Sequence, residues 1–307
     1  MPSTEPRDRL MSRVGIAAQR LARDLGTLAA GDRLPRVQDA AAALGCGNGT
    51  VQAALELLQD AGAITLRPRG RLGTFLDAVD HRVLWELAGN RTVSVAMPLP
   101  YSRRYEGLAT GLQEAFVESG VPLSLMFMRG AETRAVAVAE GRADLAVMSG
   151  LVAGDRPDLV VVRDFGAGSY VSSHGLVVAR GRDPHDPGLR VAVDQSSADQ
   201  VELTRRHFGD LDPARVVEAS YNQLDRYFAT GRIDATIWNL DEIEVHITSP
   251  IDTYPVADVV GGANTRAVIV APAAAPPTSW VVLDALAAES VATSAAAVLS
   301  GERIPSY

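Results

Sequence analysis

Lysine is absent from this chain of 307 residues, and all 29 of its basic side chains are arginine. That excludes a phosphate-cradling G-x-x-x-x-G-K-[ST] loop, a lysine Schiff base to pyridoxal phosphate, and kinase chemistry resting on a strand lysine. A single cysteine, Cys46, leaves no intrachain disulfide and no cysteine-based zinc cluster. Long apolar runs are missing too. Nothing approaches the roughly 18 residues of a membrane-spanning helix, and the opening MPSTEPRDRLMSR has no secretory apolar stretch. The expectation is a soluble, cytoplasmic chain with no membrane partner. His81, His174, His185, His207 and His246 show no H-E-x-x-H spacing, so no metal is expected. Ser172-Ser173-His174 does not define a triad by adjacency, and no G-x-S-x-G elbow surrounds it. G-x-G-x-x-G is likewise missing after the candidate first strands. No catalytic residue and no cofactor is assigned, and an enzyme is not expected.

What is present fits an ordinary globular protein, with 47% hydrophobic and 21% charged residues. At roughly 150 residues per domain the length suggests about two domains. The net charge of −8 is spread unevenly. Residues 1–76 hold ten arginines against seven acids, whereas the rest holds 19 against 30. A weakly basic head on an acidic body is the pattern of a local nucleic-acid footprint.

The head reads as three helices and a hairpin. Val14, Ala17, Ala18, Leu21, Ala22, Leu25 and Leu28 follow helical periodicity over 11–29. Val37, Ala40, Ala41 and Leu44 repeat it after Pro35, which suits a helix start. Gly45–Asn48 forms a turn, with Asn48 as the expected cap of a third helix whose stripe is Val51, Ala54, Leu55, Leu58 and Ala61. This is a helix-turn-helix outline. Strand Ala63–Leu66, turn Arg67–Arg71 and strand Leu72–Leu76 would add a wing with Arg67, Arg69 and Arg71 at its tip, placed for phosphates or a minor groove. The plainer reading is a small structural domain with a solvated arginine tip.

LPRVQDAAAALG, CGNGTVQAALELLQDAGAI and RGRLGTF together resemble the winged-helix domain of GntR-type transcriptional regulators over about 65 residues. The Gly-Thr-Val-Gln and Arg-Gly-x-Leu-Gly-Thr-Phe variants are similar to the YhfZ-like branch, whose second domain resembles a periplasmic-binding fold. The resemblance implies operator contacts from Arg36, Gln38, Asn48, Gly49, Thr50 and Gln52, with Arg67, Arg69 and Arg71 on the wing. The chain departs from the usual pattern at Arg36-Val37-Gln38, Gly47-Asn48 and Gln52. Asn and Gln bond adenine edges whereas Arg favours guanine, so the family's base preference does not carry over.

Residues 77–92 read as a connector helix capped by Asp77 and ended by Gly89-Asn90. Beyond it strand and helix signals alternate. One βαβαβ unit runs through Val93–Met97, Tyr105–Glu118, Val121–Met128, a helix ending at Gly141 and Ala143–Met148. A second runs through Leu189–Asp194, Ala198–Phe208, Val216–Glu218, Asn222–Thr230 and Ile233–Trp238. AEGRADLAVMSG (Ala139–Gly150) echoes ATGRIDATIWNL (Ala229–Leu240), and the openings VSVAMPLP and LRVAVDQS correspond. Two matches in register point to duplicated lobes over 93–307. The expected fold is therefore mixed α/β: a winged helix-turn-helix over 1–76, then a two-lobed domain similar to type II periplasmic binding proteins.

Ligands in such sheets gather beyond the carboxyl ends of strands. That rule nominates Pro98, Tyr101, Ser102, Arg103, Ser149, Gln195, Ser196, Ser197, Trp238 and Asn239. Ser196 and Ser197 open a helix before Asp199 and would either hold an anion or merely cap it. Arg103 or Arg104 would pair with a carboxylate or phosphate, or stay solvated. Trp238 is a stacking wall or a core aromatic. Asp144 and Asp234, in the Gly-Arg-x-Asp echo, read as structural. The expected partners are operator DNA, a small metabolite for which an anion is favoured, and a second copy of the chain. The competing readings are an enzyme, or a metabolite-binding protein with no DNA target.

Overall fold

The structure is a computed structural model and describes residues 12–89, 92–256, 261–274, 282 and 286–307. The chain falls into two compact units, one centred on the N-terminal helices and hairpin, the other on the α/β region from Val93 onward.

In the first unit α1 (Arg13–Leu25) opens on Ser12, whose Oγ accepts the Gly15 N–H at 3.0 Å. It buries Ala17, Ala18, Leu21, Ala22 and Leu25, and stops at Gly26 rather than running on to residue 29. Met11, expected within it, lies outside the described residues. Helix α2 (Val37–Leu44) ends at Gly45, whose φ of +64° is left-handed and costs glycine no steric penalty. Helix α3 (Asn48–Asp60) begins one residue earlier than expected. Gly47 is the extended capping residue, and its carbonyl accepts the Thr50 and Val51 N–H groups, so Asn48 is the first helical residue and not the cap. Val51, Ala54 and Leu58 face inward, whereas Ala61 follows the helix and is exposed.

Strands β1 (Ile64–Pro68) and β2 (Thr74–Val79) pair antiparallel, with Arg67 opposite Phe75. The hairpin is longer than its sequence suggested, so Arg67 belongs to a strand and the tip is 69–73. Asp77 lies in β2 beside Arg67 (2.7 Å) and caps nothing. The cap of α4 (His81–Leu87) is Asp80, whose Oδ1 accepts the Arg82 and Val83 N–H groups at 3.0 Å. Leu84 and Ala88 join Leu21, Leu25 and Leu58 in one core, which makes the expected connector helix part of the N-terminal unit. Asn90, expected to end that helix, lies outside the described residues.

The second unit has two lobes. The first contains β3 (Val93–Met97), α5 (Arg103–Ser119), β4 (Leu123–Phe127), α6 (Ala131–Ala139), β5 (Leu145–Ser149), α7 (Gly150–Gly154) and β6 (Leu159–Asp164). The second contains β7 (His174–Ala179), β8 (Val191–Val193), α8 (Ala198–Phe208), β9 (Val216–Glu218), α9 (Leu224–Ala229), β10 (Ala235–Asn239), α10 (Leu240–His246) and β11 (Ile251–Pro255). The chain then returns to the first lobe as β12 (Ala267–Pro272) and α11 (Ala288–Ser300).

Strand order is β4-β3-β5-β12-β6 in one sheet and β9-β8-β10-β7-β11 in the other. Each sheet thus has a parallel βαβαβ half, β4-β3-β5 or β9-β8-β10. Each continues into an antiparallel strand and a further antiparallel edge. The chain passes between lobes after β6 and again after β11, so each lobe contains its own duplicate of the same sheet.

The Gly-Arg-x-Asp echo has a common physical cause. Gly141 and Gly231 take φ of +68° and +61° and end α6 and α9. Three residues on, each aspartate reaches the start of its lobe's first parallel strand. Asp144 Oδ2 accepts from Ser94 N (2.8 Å), and Asp234 Oδ2 accepts from Arg190 N (3.0 Å). The bonds span 50 and 44 residues of sequence, and they tie strand to strand. Close helix packing explains a second pair of glycines. A Cβ at Gly107 or Gly111 of α5 would lie 2.8 Å from the Ala295 carbonyl oxygen or 2.5 Å from that of Val291, both on α11.

Candidate functional site

Two regions carry the chemistry, one in each unit. On the first, the start of α3 presents Asn48, Gly49 and Gln52 to solvent with Thr50 half-buried beside them, and exposed Arg36, which precedes α2, and Gln38 within it add to them. These are polar donors and acceptors on the opening turns of the second helix of a helix-turn-helix, the part that meets base edges in this motif. The nine nominated residues are not equivalent. Arg67 is neutralised by Asp77 across the hairpin. Arg69 lies over the Phe75 ring, 4.8 Å from its centroid, and Arg71 is exposed in the tip turn. Arg33 was not nominated, yet its guanidinium packs against Gly73 and its backbone bridges to Phe75. The cationic edge of the wing is therefore Arg33, Arg69 and Arg71.

In the second unit a cavity of about 100 Å³ lies between the lobes, beyond the strand ends. Pro98, Tyr101, Ser196, Ser197 and Trp238 line it, and Asn239 lines the adjoining space. Ser149 stands one layer behind: its Oγ accepts the Val152 N–H and donates to Asp199 Oδ1 at 2.8 Å. The other three nominees are not on the wall. Ser102 is buried with its Oγ turned to the Tyr105 N–H, exposed Arg103 donates to the Val298 carbonyl on α11, and Gln195 is exposed. Arg104 is held by Asp241 at 3.0 Å.

The wall also contains residues that strand-end reasoning passed over: Tyr105, Arg129, Arg134, Tyr170, Asp194, Asp199, Tyr221 and Glu242. Arg129 and Tyr221 follow β4 and β9, and the carboxyl ends of these two parallel strands are the sequence signal that points to both. Glu242 and Asp199 sit one helical turn or less inside α10 and α8, where composition gives no signal.

The lobes are joined by polar contacts across this cavity. Arg129 pairs with Asp194, whose Oδ1 also accepts the Ser196 N–H and Oγ–H. Ser149 bonds Asp199, Arg104 bonds Asp241, and His246 Nε2 donates to the Tyr101 carbonyl at 3.3 Å. Arg134 is buried and spends its donors on the carbonyls of Val147 and Met128 and on the Tyr170 hydroxyl. Glu242 accepts from Trp238 Nε1 at 3.0 Å and Asn239 Nδ2 at 3.1 Å.

Burial sets the protonation of these acids. It pushes the Asp199 carboxyl up to about 6, against the Ser149 hydrogen bond and the Arg134 charge. It pushes Glu242 upward too, opposed by the Trp238 and Asn239 donors. The Tyr105 and Tyr170 phenols are raised by burial and stay neutral. His174 is held down to about 4 by burial, and its Nδ1 accepts from Asn264 Nδ2 at 2.9 Å rather than meeting Ser172 or Ser173. Among the described residues no cluster of three or more His, Cys, Asp or Glu side chains is arranged for a metal ion, and no helix is long and apolar enough to cross a membrane.

Residues 80–307 match the family described as the YhfZ C-terminal domain, and residues 29–76 match a helix-turn-helix domain. YhfZ of Escherichia coli K12, itself uncharacterised, is 36% identical over 229 residues, or 74% of each chain. The crystal structure of YhfZ from Shigella flexneri is 32% identical, covers 74% of this chain and 97% of its own, and superposes with a TM-score of 0.61. An ancestral arginine-binding protein with bound arginine covers 69% of this chain and 98% of its own at 12% identity and a TM-score of 0.52. That last likeness bears on the fold, which is the two-lobed architecture of periplasmic binding proteins.

Proposed function

The chain belongs to the YhfZ family, and from that premise we propose that it is a transcriptional regulator that binds operator DNA and responds to a small molecule held in its cleft. One observation carries the reading. A single chain joins a helix-turn-helix with an exposed polar recognition edge and an arginine-tipped wing to a two-lobed fold closed over a cavity. The GntR-type resemblance of LPRVQDAAAALG and RGRLGTF supports a winged-helix regulator of that group, acting in the cytoplasm. Two copies on a two-fold operator are the arrangement that helix-turn-helix geometry favours.

The cleft is a binding site in this proposal and not a catalytic one. His174 is tied to Asn264, which supports that assignment because the sequence neighbours Ser172 and Ser173 are not its hydrogen-bond partner there. Ligand acts by shifting the population of closed lobes. Moving that equilibrium from 1:99 to 99:1 takes about 5.5 kcal/mol of differential affinity. Selection of genomic fragments by the full-length chain, followed by sequencing, tests the DNA half. A recurring two-fold sequence supports the reading. No enrichment with folded protein, with and without cleft ligands, would leave a metabolite-binding protein instead.

A further inference from the structure

The side chains on the cavity wall say what kind of molecule it takes. Four of the seven tyrosines in the chain and one of the three tryptophans line this one cavity. Tyr101 and Tyr221 lie together with ring centroids 4.0 Å apart, and Tyr221 stacks toward Trp238 at 6.5 Å. Tyr105 and Tyr170 form a second pair at 5.1 Å. Ring faces attract cations through their quadrupole, most strongly where water is excluded.

Charge points the same way. The lining holds three carboxylates, Asp194, Asp199 and Glu242, against two guanidiniums, Arg129 and Arg134. Arg129 is taken by Asp194, and the donors of Arg134 are directed at two carbonyls and a phenol. Asp199 and Glu242 are bonded instead by neutral donors: Ser149 for the first, Trp238 and Asn239 for the second. Arg134 has only neutral acceptors, and its charge acts on Asp199, so the aromatic-walled cavity holds one carboxylate more than its guanidiniums balance. An anion entering here would meet both carboxylates, and one of the two arginines of the wall, Arg129, is already paired with Asp194.

We infer that the cleft binds an organic cation, its ammonium group seated between the aromatic rings and against Asp199 and Glu242. This rests on the reading of the cleft as the sensory site and supplies its ligand class. It replaces the anion expected from Ser196 and Ser197. Ser196 is committed to Asp194, and the first turn of α8 already carries the negative charge of Asp199.

The test is calorimetric titration of the full-length protein at pH 7.5 with choline, putrescine, the neutral carbon isostere of choline, acetate and inorganic phosphate. The expected result is that a cation binds at least about tenfold more tightly than the neutral isostere and either anion, and that Glu242→Gln and Asp199→Asn each lower its affinity by about tenfold or more. Thermal melts of both variants confirm that they fold. The inference is overturned if the isostere matches choline, if acetate or phosphate outcompetes the cations, or if neither cation binds. DNA binding keeps the two claims apart. A cation that binds without changing operator affinity removes the regulator reading and leaves the ligand class; an anion that binds and changes it does the reverse.

Discussion

Replacing Asp199 with asparagine should stabilise the empty protein while disabling its cleft. Burial holds this carboxyl at about 6, against 3.8 unperturbed. The folded state therefore binds its proton more tightly than the unfolded state does. A raised acid makes stability fall as pH climbs through the unfolded value, with the full loss reached above the folded one. Near-complete burial leaves little solvent screening, so the loss approaches about 3 kcal/mol above pH 7, of which roughly half is incurred by pH 5. Asparagine keeps an oxygen for the Ser149 hydroxyl and has no proton to lose. The stability difference between Asp199→Asn and wild type should widen by roughly 1.4 kcal/mol between pH 5 and pH 7.5, or about 3–6 °C in melting temperature for a unit of this size. Thermal melts at the two pH values measure it without ligand. A difference that is flat with pH, or that narrows as pH rises, would refute the claim that Asp199 is an ionisable group buried at a cost.

Other expectations follow from the same contacts. Cation affinity should increase about tenfold from pH 5 to pH 7 as Asp199 ionises, with Glu242 contributing in the same direction; calorimetry in two buffers should register the released proton. Arg71→Ala should weaken binding to every DNA sequence and reduce the salt slope by about one, whereas Asn48→Ala or Gln52→Ala should change base preference, and footprints across a sequence library separate the two effects. Arg67→Ala should matter less than Arg71→Ala, because Asp77 already neutralises Arg67. Gly111→Ala should destabilise the second unit by about 1–3 kcal/mol or more, since its Cβ would meet the Val291 carbonyl 2.5 Å away; an unchanged melting temperature would show that α11 moves aside at no cost.

The parts of the fold legible in the sequence were those with a strong local period or a repeat. The α3 stripe of Val51, Ala54 and Leu58 and the parallel βαβαβ halves follow directly from residue spacing. The echo of Asp144 and Asp234 marks equivalent anchors, although their bonds reach a neighbouring strand, which spacing alone does not reveal. The antiparallel strands β7 and β12 escaped because each pairs with the lobe it enters after a crossing, and nothing local encodes that exchange. In the cleft, strand ends located Tyr101, Ser196 and Trp238. Asp199 and Glu242 were invisible as site residues because only closure of two lobes places helix-borne carboxylates against rings from distant segments. Arg103 failed for the converse reason: adjacent to a strand end in sequence, it turns outward to α11.

Fluorescence anisotropy with a duplex recovered by genomic selection addresses the central claim most directly. The full-length chain is titrated onto it at fixed salt, with and without a saturating cation that calorimetry has shown to bind. The account predicts a Kd that changes by at least about tenfold on adding the cation, and no response in Glu242→Gln under the same conditions. The same Kd in both titrations, with the cation bound, would contradict it.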